Sequence, residues 1–210
     1  MRIRAEVVVE VNGREVFRGP SRSFVTNFAK ALLGMFSAPD NVPLSTTGLF
    51  ASATVTALDG SSQTIWTEWY SSPNRYADGV ALAMNAPDNN DSFGIWVGSG
   101  STPVSPTDYN LSSKIPHGSG SGQLDYEPHT VTSSYSSTSS YAEIARSFIN
   151  RSGANVIVRE VGIVARNYWR DEYNVQRDVK FLIARDVLPN PILVPNLASL
   201  TVRYRISLSL

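Results

Sequence analysis

The chain has 210 residues, 42% of them hydrophobic and 17% charged, with 18 basic and 18 acidic side chains and no cysteine. That length and composition describe a folded protein with a sizeable core rather than a disordered one. Zero net charge excludes wholesale neutralisation of nucleic acid or of an anionic membrane, and the missing cysteines exclude disulfides, thiolate metal sites and thiol catalysis.

Ile3, Ala5, Val7, Val9 and Val11 alternate with Arg2, Arg4, Glu6, Val8 and Glu10, a period of two that predicts a half-buried strand. Asn12-Gly13 offers a type I′ turn, and Glu15–Phe17 returns as its partner. Met1–Arg4 runs straight into this strand without an apolar stretch or cleavage site, so no secretory signal is expected. No apolar run reaches the length of a bilayer span, and the protein is expected to be made in the cytosol in soluble form. From Phe24 the period changes. Phe24, Phe28, Leu32 and Phe36 fall four apart, with Ala31 and Met35 beside them, which predicts an amphipathic helix over about 23–36, stopped by 37–43.

Phe50–Leu58 and Thr64–Tyr70 flank Asp59-Gly60-Ser-Ser62 and read as a hairpin, followed by a turn at 71–75 and a short strand or turn at Val80–Met84. Phe93–Val97 reads as a buried strand. The segment Gly98–Gly122 is dominated by Gly, Ser, Thr and Pro, a loop of the length that is usually functional or poorly ordered. A strand is expected at Gln123–Val131, then a low-complexity extended surface segment at Ser133–Tyr141. Tyr141–Ile149 and Asn155–Val164 read as a central hairpin joined by Asn150-Arg-Ser-Gly153, and Arg166–Lys180 as a polar, aromatic loop. Phe181–Val187 is a strand, Pro189–Pro195 a proline-punctuated turn, and Leu200–Leu208 a final strand with Leu200, Val202, Tyr204, Ile206 and Leu208 on one face. The sum is a mainly β, single-domain chain: an antiparallel, jelly-roll-like β-sandwich with one N-terminal amphipathic helix.

Candidate chemistry is sparse. Gly98-Ser-Gly100 after a strand resembles the start of a phosphate loop, but Pro103 and Pro106 follow where that motif needs a helix, so a plain loop is the better reading. The two histidines, His117 and His129, lack the H-x-x-x-H spacing of a metal pair, and no G-x-S-x-G elbow exists. Asp88-Asn-Asn-Asp91 has oxygens for Ca²⁺ but not the EF-hand spacing, and reads as a solvated turn. No catalytic residue, cofactor or metal is therefore assigned. Ile65-Trp-Thr-Glu-Trp-Tyr70 offers aromatic rings for stacking on sugars or for subunit contact, and Trp66, Trp69, Tyr109, Tyr168 and Trp169 are the candidate contact surface. Glu143 and Glu160 read as members of a surface charge ladder with Arg146 and Arg159. An acid-catalysed glycosidase would instead need two carboxylates about 5–10 Å apart in a cleft.

Gly94-Ile-Trp-Val-Gly-Ser-Gly-Ser-Thr-Pro103, Pro106-Thr-Asp-Tyr109 and Ile115-Pro-His-Gly118 resemble a pattern common in structural proteins of tailed phages and related double-stranded DNA viruses. Phe148-Ile-Asn-Arg-Ser-Gly153, Val158-Arg-Glu-Val-Gly162, Leu182-Ile-Ala-Arg-Asp-Val187, and Leu193-Val-Pro195 ahead of Leu200-Thr-Val202 extend the similarity over residues 93–208. The resemblance implies a non-enzymatic virion component: a capsid-decorating, minor capsid or tail-associated subunit. Its partners would be copies of itself and other virion proteins, with no direct nucleic-acid or membrane contact. The alternative is a carbohydrate- or receptor-binding β-sandwich module using Trp66, Trp69 or Tyr168–Tyr173, with a glycan as partner.

Overall fold

The computed structural model describes residues 2–21, 23–36, 52–67, 80–170 and 176–209. Arg2–Val11 (β1) and Arg14–Pro20 (β2) form the first hairpin, with Asn12 and Gly13 at φ 51° and 75°, as a type I′ turn requires. β1 pairs antiparallel with the last strand, Ser199–Ser209 (β11). Beyond β11 lie Ser139–Ile149 (β8) and Asp125–Tyr135 (β7), giving a five-stranded sheet ordered β2-β1-β11-β8-β7. The period of two in β11 is realised: Leu200, Val202 and Tyr204 are buried, while Arg203 and Arg205 pair with Glu143 on the other face.

The second sheet is built on Val156–Arg170 (β9). Gln176–Val194 (β10) runs along one flank, and Val80–Ala83 (β5) and Gly94–Gly98 (β6) pair with β9 as well. Ser52–Thr56 (β3) and Ser62–Trp66 (β4) make a small separate hairpin, close to the predicted one. Among the described residues every strand pair is antiparallel. Val9, Phe148 and Val202 of the first sheet belong to one hydrophobic cluster with Ile95, Val161, Ile163 and Phe181 of the second, so a single core serves both.

Several expectations are corrected. Tyr141–Ile149 and Asn155–Val164 are strands, but they do not pair; the chain leaves one sheet at Asn150 and enters the other. Asn150 makes that turn. Its buried side chain donates to the carbonyls of Ala154 and Val194 (2.8 Å each) and accepts from Ser152, and Gly153 follows at φ 77°. Arg166–Arg170 and Gln176–Lys180 are strand rather than loop, β9 and β10 pairing out to Arg170 opposite Gln176. Nor is Pro189–Pro195 simply a turn. Leu188–Pro191 bulge out of β10 between Val187, opposite Glu160, and Ile192, opposite Val158, which spares the two prolines a ladder bond they cannot make.

The helix, Thr26–Phe36 (α1), begins later than expected because Phe24 is taken by a β-bridge to Ala184. Its buried face also differs: Asn27 and Ala31 are covered, whereas Leu32 is 40% exposed. Asn27 decides this, because its amide exchanges two hydrogen bonds with the backbone of Thr56 at 2.8 and 2.9 Å and so locks α1 against β3. The turns expected at 37–43 and 71–75, together with Trp69, Tyr70 and Tyr173, lie outside the described residues.

Candidate functional site

The long segment Gly98–Gly122 is held in place by a buried ion pair. Glu160 on β9 and Arg185 on β10 are 0% and 1% exposed. Arg185 Nε donates to Glu160 Oε2 at 2.7 Å, one Nη to Asp108 Oδ2 at 2.7 Å, and the other to the Thr102 carbonyl at 2.8 Å. Glu160 in turn accepts the backbone N–H groups of Ser112 and Ser113 at 3.2 and 2.7 Å. Burial opposes the charge on Arg185, yet its bonds to Asp108 and Glu160 hold its pKa above the ordinary value. One carboxylate and one guanidinium thereby tie together two core strands and four points of the loop.

This explains the glycines that resemble a phosphate loop. A Cβ on Gly98 or on Gly100 would stand 2.6 Å from Glu160 Oε1. The anion against which Gly98-Ser-Gly100 packs is the protein's own carboxylate. Leu111 and Ile115 bury themselves alongside, and the Thr26 N–H and hydroxyl at the start of α1 both donate to the Pro106 carbonyl at 2.8 Å. Glu160 is therefore no member of a surface ladder with Glu143. The two glutamates sit in different sheets, Glu160 bonded to Arg185 and Glu143 to Arg203 and Arg205, so they do not face each other across a hairpin. Glu143 does belong to a ladder, bridged to Arg203 and Arg205, with Glu10 beyond Arg203.

A second buried cation fixes the segment before β6. Arg146 on β8 is 1% exposed and donates to five main-chain carbonyls: Glu127 and Asn90 at 2.7 Å, Pro87 at 3.3 Å, Ile95 at 3.4 Å and Phe93 at 3.5 Å. Its guanidinium stacks on Tyr126, 4.6 Å from the ring centroid. Burial pulls its pKa down to about 10, which leaves it charged at neutral pH.

His129 on β7 completes the clamp. Its Nε2 accepts the Ile95 N–H at 2.7 Å, so the proton sits on Nδ1, which donates to the Ala86 carbonyl at 3.0 Å. Burial pushes this imidazole down to about 4, with the Ala86 bond opposing and Arg146 assisting. Because the folded pKa lies below the unfolded one, the stabilisation is fully present above about pH 6.5 and is lost as pH falls towards 4. The expected loss approaches about 3 kcal/mol. Urea unfolding across that range should show the slope, and His129→Gln, which keeps an acceptor but cannot titrate, should flatten it.

Asp88-Asn-Asn-Asp91 is a structured turn that closes on the protein's own groups. Asp91 Oδ2 takes Lys114 Nζ at 2.9 Å and the His117 N–H at 3.1 Å. Lys114 also lies 4.0 Å from the Trp96 ring centroid, and burial lowers its pKa despite Asp91. The described residues hold no cluster of three or more metal-ligating side chains.

Of the five contact residues expected from sequence, four lie among the described residues. Trp66 ends β4, where its N–H and C=O bond the buried side chain of Asn167 at 3.2 and 2.7 Å, fastening the small hairpin to β9. Tyr168 lies beside Arg166, 4.9 Å from ring centroid to guanidinium. Trp169 is placed by its backbone, opposite Arg177, and Trp69 is outside the described residues. Tyr109, 43% exposed, reaches over Gly60 in the β3–β4 turn, and the neighbouring Asn110 donates to the Leu58 carbonyl at 3.2 Å. An open recess of about 330 Å³ adjoins that hairpin, lined by Asp59, Gln63, Arg177, Asp178 and Lys180 among others.

The buried charges were missed from sequence, although a signal existed. Glu160 shares the even-numbered face of β9 with buried Val156 and Val158, and period two places it inside. What these groups do chemically is hold surface segments fast, each charge being neutralised or hydrogen-bonded within the fold. Comparison with protein-family models, with curated proteins and with solved structures yields no match to this chain.

Proposed function

We propose that this chain is a non-enzymatic structural subunit of a virion, capsid-decorating, minor capsid or tail-associated, made in the host cytoplasm. In this reading it works packed against copies of itself and neighbouring virion proteins. The two large sheets are read as the layers of a β-sandwich, a reading supported by the single core to which both contribute.

The observation that carries the proposal is where the buried charge is spent. Glu160, Arg185 and Arg146 fix the long Gly/Ser/Pro loop and the segment before β6 as preformed surface. Preformed surface favours association because little ordering entropy remains to be lost on contact. The resemblance over residues 93–208 supplies the virion, and the same residues supply this anchoring.

The test is mass spectrometry of particles purified from cultures that carry the encoding genome. The protein is expected in them at a fixed ratio to the main shell or tail protein. Abundant protein in the lysate with none in the particles would overturn the reading.

A further inference from the structure

We propose that β7 is a docking edge for the β7 of a second copy of this chain. The proposal rests on the reading of the protein as an assembly subunit and names the surface and the partner.

The five-stranded sheet ends in β2 on one side and β7 on the other. The two edges are built differently. β2 carries Arg14, Glu15 and Arg18 and finishes in Pro20, the charges and proline that discourage strand addition. From Pro128 to Ala142 there is no Asp, Glu, Lys or Arg at all. The chain itself covers the first half of β7: the Asn89 N–H donates to the Tyr126 carbonyl at 2.9 Å, and the His129 N–H to the Ala86 carbonyl at 3.2 Å. Among the described residues the cover stops there. Thr130–Tyr135 are all exposed, Val131 at 60% and Tyr135 at 81%.

The His129 bond also fixes which backbone groups face outward. Its N–H points away from β8, so by the alternation of an antiparallel ladder those of Val131, Ser133 and Tyr135 do the same. Side chains on these positions continue the sheet's core-facing side. Val7, Tyr204, Ile144 and Val131 form one row across β1, β11, β8 and β7, with exposures of 1%, 3%, 8% and 60%. An apolar row that starts in the core thus runs out at the open edge.

A two-fold axis through Ser133 satisfies all of this at once. It sets Val131 of each copy opposite Tyr135 of the other, on the same face, and pairs the outward groups of Val131, Ser133 and Tyr135 in about six backbone hydrogen bonds. No charge opposes a like charge. Isologous contact of this kind is the commonest route to a closed dimer.

The absence of cysteine makes the test direct. In this register the two Ser133 Cα atoms stand about 5.5 Å apart, within disulfide reach, whereas the two Thr130 residues are separated by about 20 Å. Under mild oxidation Ser133→Cys is expected to run at twice the 22.9 kDa chain mass, and Thr130→Cys to stay monomeric. Light scattering of the unmodified protein should show a monomer–dimer equilibrium that Ser133→Pro abolishes with little change in Tm, since the Ser133 N–H takes no part in pairing with β8. Equal cross-linking of both cysteine variants, or of neither, overturns the proposal. So does a dimer that Ser133→Pro leaves intact, a result that would place self-contact elsewhere without touching the assembly reading. Absence from particles would sink that reading while the cross-link still formed. If Ser133→Pro does not fold, the cysteine pair decides.

Discussion

Glu160→Ala is expected to destabilise the protein by about 3–5 kcal/mol, because it strands the buried Arg185 guanidinium and leaves two loop N–H groups without their acceptor. Total stabilities of ordinary domains run to about 5–15 kcal/mol, so this single change removes a large share. Glu160→Gln keeps an acceptor and should cost less. The informative variant is Glu160→Met combined with Arg185→Met. A simple buried ion pair is often replaced by apolar side chains at no net cost. Here the Ser112 and Ser113 N–H groups and the Thr102 carbonyl would still lack partners, so the double variant should remain less stable than the parent. Full recovery in urea unfolding would mean that the pair matters only to itself and not to the loop.

Arg146→Met carries the second large effect, about 3–5 kcal/mol in the same measurement. Methionine fills much of the volume and lies against Tyr126 and Phe148, but five carbonyls lose their donor. Arg146→Lys should recover less than half. An ammonium is a compact point charge with three donors, and it cannot span carbonyls set around a planar fork. Equal stability of the lysine and arginine proteins would contradict the clamp.

Much of the architecture was legible because one simple rule governs it. Alternation gave the buried face of β11 and the burial of Val7 and Val9 in β1, although Val8 on the other face is buried too, and Asn12-Gly13 gave the first turn, since both depend only on neighbouring residues. The failures share a cause. Tyr141–Ile149 and Asn155–Val164 look like a hairpin locally, but each strand has a better partner far along the chain: β11 for β8, β10 for β9. Leu32 lies outside the buried face because Asn27 found the Thr56 backbone, a contact no helical period encodes.

The candidate site was harder still. Glu160 carries a charge that reads as surface although period two places it inside, and Arg146 reads in sequence as the ladder partner of a glutamate. Its partners are carbonyls, which every residue carries. Of the contact residues, Tyr109 is an exposed ring on the anchored loop, while Trp66 is joined to the Asn167 side chain through its backbone.

Amide hydrogen exchange at Ser112 and Ser113 tests the anchoring of the long loop most directly. A Gly/Ser/Pro loop without anchors exchanges nearly as fast as an unfolded chain. With Glu160 as buried acceptor, both amides are expected to exchange far more slowly than neighbouring loop positions, and to lose that protection in Glu160→Ala. Rapid exchange at both amides in the unmodified protein would contradict the account.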